Sequence, residues 1–92
     1  MPAGEVRPLF TDPYDPDSNE LIEAKGTATR VAVRQAIGQL YDYRRHLPRP
    51  AASLSVLLPH KPSADLLDLL RTCAIACIFE TDRGHFERAE PT

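Results

Sequence analysis

An acidic and a basic side chain stand two residues apart near the end of a short apolar run. Glu23 and Lys25 belong to "ELIEAK", which the sequence predicts to be a β-strand ended by Gly26. Residues two apart on a strand project from the same face of the sheet, so the carboxylate and the amine are expected to be neighbours. A carboxylate can bind a metal ion, and an amine beside it can hold a water or neutralise charge on a phosphate. Taken alone, the same spacing is also typical of a solvated strand face.

A predicted β-hairpin places another carboxylate near this pair. The segment "DPDSN" is a cluster of turn residues, and the strand-like run before it is interrupted by prolines. A turn centred after the second aspartate of this segment sets an antiparallel register. In that register Asp12 lies directly across from Glu23, and Asp15 lies across from Glu20, with opposed Cβ atoms about 5 Å apart.

Two carboxylates at that separation repel each other unless a cation lies between them. Mg²⁺ or Mn²⁺ is the expected ion, because hard divalent cations take oxygen ligands and Mg²⁺ keeps waters that a substrate can displace. The sequence therefore predicts a metal site formed by Asp12 and Glu23, with Lys25 beside it. This combination of groups suits hydrolysis of a phosphodiester.

An amphipathic helix is predicted from Ala28 to about His46, with Thr27 or Thr29 as its N-cap. Two polar residues on this helix, Gln39 and Tyr43, stand one turn apart on the flank of its apolar face. They could instead form a hydrogen bond at the edge of the core. The same helix carries three candidate phosphate contacts that could equally be solvated, namely Arg30, Arg34 and Arg44.

Asp12, followed by Glu23-Ala24-Lys25 at a strand end, resembles the catalytic signature of the PD-(D/E)xK nuclease superfamily, which has the restriction-endonuclease-like fold. In the RecB-type branch, the helix after the lysine strand carries a glutamine and a tyrosine spaced as QxxxY, as Gln39 and Tyr43 are here. The resemblance implies a Mg²⁺-dependent endodeoxyribonuclease that cuts DNA in restriction or defence. It implies metal binding by Asp12 and Glu23, assistance to the attacking water by Lys25, and further catalytic roles for Gln39 and Tyr43.

The alternation of strand and helix patterns predicts an α/β fold. After the first helix come a strand in "SLSVLLP", a helix in "SADLLDLLRTCA" capped by Ser63, and strands in "IACIFET" and "HFERA". Strand-helix-strand crossovers favour parallel neighbours. The prediction is a small mixed β-sheet flanked by two helices in the order β-β-α-β-α-β-β. It corresponds to a restriction-endonuclease-like core that lacks the usual N-terminal helix.

Size and composition fit one globular domain spanning residues 1–92, with 42% hydrophobic and 26% charged residues. The formal net charge of -2 argues against coating of nucleic acid by bulk charge. No apolar run is long enough for a membrane span and no signal-peptide pattern is present, so no membrane association and a cytoplasmic location are expected. Cys73 and Cys77 are expected to be buried thiols, and the three histidines have no ligand spacing.

The missing first helix leaves three interpretations open. The chain is an active nuclease, or a catalytically inactive nuclease-fold module that binds nucleic acid or a protein partner. In the third interpretation it is a fragment, a C-terminal domain of a longer protein or a small subunit, and a homodimer or a partner domain supplies the missing helix.

Overall fold

A computed structural model describes residues 14–15, 17–46 and 53–91. The elements in chain order are β1 (Tyr14–Asp15), β2 (Glu20–Ala24), α1 (Arg30–Arg44), β3 (Ser53–Leu58), α2 (Ala64–Thr72), β4 (Ile75–Asp82) and β5 (His85–Ala89). They form a small α/β domain in which a five-stranded mixed sheet is joined by two helices. The predicted β-β-α-β-α-β-β order is confirmed. Asp12, the first predicted metal ligand, lies outside the described residues.

The strands lie in the sheet in the order in which they occur along the chain, from β1 to β5. β1 and β2 are antiparallel, β2, β3 and β4 are mutually parallel neighbours, and β5 returns antiparallel to β4. In the first hairpin, Tyr14 pairs with Leu21 and Asp15 pairs with Glu20. The Asp15–Glu20 pair is the one that the predicted turn requires, so the hairpin register is confirmed over the described residues.

Both helices lie on one face of the sheet, because they contact each other and share one hydrophobic core. Val33 and Leu40 of α1 and Leu70 of α2 are almost completely buried in it. The strands contribute alternate residues to the same core, namely Leu21, Leu54, Val56, Leu58, Ile75, Cys77 and Phe79. We call this the helix face and the opposite side the second face. The two-residue periodicity of the strands assigns every other residue to the second face.

Local signals in the sequence fix the ends of the helices. The Thr29 side chain accepts a hydrogen bond from the amide of Ala32, so Thr29 is the N-cap of α1. Ser63 caps α2 in the same way, as predicted. After α2, Ala74 adopts a left-handed conformation with φ 60, which ends the helix and turns the chain directly into β4. Neither helix in the described part of the chain is long and apolar enough to cross a membrane.

Candidate functional site

Glu23 and Lys25 meet at the carboxyl end of β2. Lys25 directly follows the strand, and its amide donates a 3.0 Å hydrogen bond to the carbonyl of Leu57 in β3. The ladder with β3 thus continues past Ala24 and holds Lys25 in line with the strand. The Lys25 Nζ lies 3.8 Å from the Glu23 Oε2, which confirms that the two side chains project from the same face.

This ion pair is mostly withdrawn from solvent. The Lys25 side chain is 17% exposed and the Glu23 side chain 25% exposed, so the pair is screened less than a surface salt bridge. Glu23 pairs across the sheet with Val56, which belongs to the helix face. The carboxylate and the amine therefore sit at the rim of the hydrophobic core, where charge interactions are stronger than in water.

The predicted metal site is only partly within the described residues. Glu23 is described, whereas Asp12 is not. Residues 14–15, 17–46 and 53–91 contain no group of three or more histidine, cysteine, aspartate or glutamate side chains that could hold a metal ion. Glu23 alone is a single carboxylate ligand with Lys25 beside it. A Mg²⁺ or Mn²⁺ site formed by both acids remains a prediction.

The surroundings of the pair include the start of α1. Thr27 and Thr29 lie between Lys25 and the first helical turn, and their hydroxyl oxygens are 3.1 Å apart. The first turn of α1 contains no acidic residue. Glu23 and Lys25 lie at the carboxyl end of β2, next to the end of its parallel neighbour β3. The described strands follow one another in chain order, so this edge of the sheet has no reversal of strand order of the kind at which α/β sheets commonly bind ligands.

The helix places Gln39 and Tyr43 far from this end of the sheet. α1 begins near the carboxyl end of β2 and returns towards the start of β3, which is parallel to β2. At 1.5 Å per residue, Gln39 lies about 14 Å and Tyr43 about 20 Å along the axis from the first helical residue. Gln39 is exposed, and Tyr43 is 37% exposed. The structure therefore does not bring them to Glu23 and Lys25.

The three predicted phosphate contacts lie on another flank of α1. At about 100° per residue, Arg30, Arg34 and Arg44 fall within an arc of about 80°, roughly opposite Gln39. Arg30 forms an exposed ion pair with Asp65 of α2. Arg34 borders a surface depression of about 310 Å³ with Val31 and Gln35.

Arg44 lies over the ring of Tyr41, with its guanidinium carbon 5.1 Å from the ring centroid. Its cation–π contact orients the guanidinium group at the far end of the helix. The three arginines thus form a row on one side of α1, in which Arg30 is held by an ion pair and Arg44 by a ring contact.

A second charged cluster, which the sequence did not reveal, lies on the second face. Glu20 is 8% exposed and Ser55 is completely buried. The Ser55 hydroxyl and the Arg88 guanidinium both donate to the Glu20 Oε2, and Arg88 also donates to the Ser55 Oγ at 3.0 Å. The Arg88 Nε lies 2.7 Å from Glu90. The hydrogen bond with Glu20 is the largest cause that raises the pKa of Arg88 above its ordinary value.

This cluster satisfies its own charges and hydrogen bonds, so it has the character of a structural contact rather than a reactive site. Polar residues at otherwise apolar strand positions, such as Ser55 within "SLSVLL", are the signal that could have indicated it.

Both cysteines are free thiols, with Cys77 buried and Cys73 half-buried, so only Cys77 is as buried as predicted.

Comparison of the chain with protein-family models, with curated proteins and with solved structures finds no match. The functional candidates therefore rest on the residues of the chain itself.

Proposed function

We propose that this chain is a metal-dependent nuclease that hydrolyses phosphodiester bonds in DNA, in restriction or defence. The observation that carries the proposal is the Glu23–Lys25 pair at the carboxyl end of β2, with the carboxylate and amine 3.8 Å apart on one face. The pair matches the second half of the PD-(D/E)xK signature in residue type, spacing and strand position.

The hairpin register supports a role for Asp12 beside Glu23. The described pairs of the β1–β2 ladder, Tyr14 with Leu21 and Asp15 with Glu20, follow the register in which Asp12 comes opposite Glu23. Asp12 and Glu23 would then hold Mg²⁺ or Mn²⁺. The ion would activate a water and neutralise charge on the scissile phosphate.

Lys25 has a chemical role that its geometry allows. A lysine ammonium has three N–H donors, and the Glu23 carboxylate can accept only some of them. The remaining donors can orient a water or contact a non-bridging phosphate oxygen, which stabilises charge that develops during hydrolysis. Its backbone hydrogen bond to Leu57 limits the movement of the main chain, and the ion pair with Glu23 keeps the amine near the carboxylate.

The arginine row on α1 is proposed to contact the DNA backbone. Arg30, Arg34 and Arg44 lie on one side of the helix and are spread over about 21 Å of its length. Phosphate contacts of this kind position a protein on DNA without reading sequence. Binding should therefore weaken steeply as salt concentration rises.

Cleavage of a plasmid in the presence of Mg²⁺ or Mn²⁺ tests the proposal. We expect Glu23→Ala and Lys25→Ala each to lower the cleavage rate at least about 100-fold, as loss of a transition-state contact does. Lys61→Ala and Glu87→Ala are matched controls, because they remove the same groups from exposed positions. Equal cleavage by the wild type and both site variants, or no cleavage with either metal, would contradict the proposal.

The second candidate is a catalytically inactive nuclease-fold module that binds nucleic acid or a protein partner. It is favoured by the exposed surface of α1, where Val31 is 66% exposed beside Arg34. It predicts salt-dependent DNA binding that survives Lys25→Ala. It also predicts that calorimetric titration with Mn²⁺ gives no heat that depends on both Asp12 and Glu23, whereas the nuclease proposal requires such heat.

A further inference from the structure

Four large apolar side chains lie on the second face of the sheet, outside the hydrophobic core. We call them the second-face patch: Ile22, Leu57, Ile78 and Phe86. Leu57 and Ile78 pair directly across the ladder between β3 and β4. Phe86 is 55% exposed, and the other three side chains are partly exposed. The patch is therefore apolar surface that the two helices leave uncovered.

The strands beneath the patch favour a cover. β2, β3 and β4 are parallel, and parallel sheets are normally buried on both faces. Both described helices pack on the helix face of this sheet. Removal of the patch from water would be favourable in proportion to the apolar area that is covered. We therefore expect a further apolar segment to pack on the second face.

The patch lies towards the carboxyl ends of the parallel strands. The charged cluster of Glu20, Ser55 and Arg88 occupies the opposite, amino end of the second face. Leu57 pairs with Ala24, which is the last residue of β2. A segment that covers the patch must therefore reach the carboxyl ends of β2, β3 and β4.

The chain that precedes Tyr14 reaches the sheet from this end. β1 is antiparallel to β2 and Tyr14 pairs with Leu21, so earlier residues approach from the carboxyl end of β2. Residues 47–52 connect the end of α1 to the start of β3, at the amino end where the charged cluster lies. Of these two stretches outside the described residues, only residues 1–13 adjoin the patch.

Residues 6–10 have a composition and a length that match the patch. Their sequence, "VRPLF", has three large apolar residues, and Pro8 lacks the N–H that a strand ladder requires. In an extended conformation, residues 6–10 span about 13 Å. The patch extends from β2 to β5, which is three strand spacings or about 14 Å. Residues 11–13 remain to connect the segment to β1.

We propose that residues 6–10 dock on the second-face patch and cross the parallel strands, with residue 10 nearest β2 and residue 6 nearest β5. Docking brings the apolar side chains of Val6, Leu9 and Phe10 against the patch. Because the segment belongs to the same chain, it meets the patch at an effective concentration on the order of millimolar, which favours it over a separate partner. The inference is independent of the proposed nuclease activity.

A double-mutant cycle in the full chain tests the proposal by urea unfolding. The segment variant is Val6→Ser/Leu9→Ser/Phe10→Ser, and the patch variant is Ile78→Thr/Phe86→Ser. The segment variant should raise the equilibrium constant of unfolding about tenfold or more, because buried apolar contacts are lost. Its effect should be clearly smaller when the patch variant is already present, because substitutions of contacting residues are not additive. Additive effects, or an unchanged stability in the segment variant, would overturn the proposal.

Glu5→Gln/Arg7→Gln is the matched control, since it changes the same segment but keeps its apolar residues and its net charge. It should leave the stability unchanged, and an effect as large as that of the segment variant would overturn the proposal. Circular dichroism of each variant confirms that the fold is retained.

Fluorescence of the dye ANS, which binds exposed apolar surface, locates the change. It should be weak with the wild type, severalfold stronger with the segment variant, and lower again when the patch variant is added. Strong fluorescence with the wild type would show an uncovered patch. Sedimentation velocity tests for a second copy as the cover, through a wild-type dimer that the patch variant dissociates and the segment variant leaves intact. Either result would overturn the proposal.

Discussion

Arg88 of β5 contacts Glu20 of β2, although β3 and β4 lie between these strands. The guanidinium group crosses β4 on the second face and also donates to Ser55 of β3. Ala76 of β4 pairs with Ser55 beneath this crossing and is only 2% exposed. The Arg88 side chain therefore links β5 to β2, the strand that contains Glu23 and is followed directly by Lys25.

Removal of this contact should destabilise the protein well beyond the effect of a surface salt bridge. In Arg88→Met the apolar stem is kept, but the buried Glu20 carboxylate loses its cation. Breaking a fully buried pair costs several kcal/mol, and partial exposure of Arg88 reduces this to about 2 kcal/mol. Urea unfolding at neutral pH measures the change in the free energy of unfolding.

Arg71→Met is the control for this prediction. Arg71 pairs with Asp68 on the surface of α2, and both side chains are about 60% exposed. Exposed pairs of this type contribute less than about 1 kcal/mol. Equal losses of stability in Arg71→Met and Arg88→Met would show that the second-face contact has no special role.

The contrast between these two pairs also shows what the sequence can predict. Asp68 and Arg71 are three residues apart on one helix, so helical periodicity alone makes them neighbours. Glu20 and Arg88 are 68 residues apart, and their contact depends on the order of strands in the sheet and on the length of one side chain. No local pattern contains that information.

The sequence leaves two candidates for the N-cap of α1, Thr27 and Thr29. The structure selects Thr29, whose Oγ1 lies 3.2 Å from the amide of Ala32. Thr29→Ala should lower the free energy of unfolding by about 1 kcal/mol, because a helical N–H loses its acceptor. Thr27→Ala should cost clearly less, since the Thr27 hydroxyl contacts only Thr29 among the described residues. Thermal or urea unfolding of both variants measures the difference, and the reverse ranking would contradict this cap assignment.

The sequence predicts which residues of the candidate site are neighbours within one element, but it does not predict the distance between elements. Glu23 and Lys25 are two apart on one strand, and strand geometry alone makes them neighbours. Gln39 and Tyr43 are likewise neighbours on one helix, but their distance from Glu23 depends on the direction in which α1 runs. The crossover connection carries them away from the carboxyl end of β2, which a motif spacing does not encode.

Cys77 should make the stability of the protein depend on alkaline pH. Its thiol lies in the core, and burial raises its pKa from 9.0 to about 11. Between these values the unfolded chain loses the proton while the folded chain retains it. The free energy of unfolding should therefore fall as pH rises from about 9 to about 11. Urea unfolding across this range should show a shallower decline in Cys77→Ala, which lacks the titrating thiol, than in Cys73→Ala, which keeps it. Identical slopes in the two variants would show that the Cys77 thiol does not contribute.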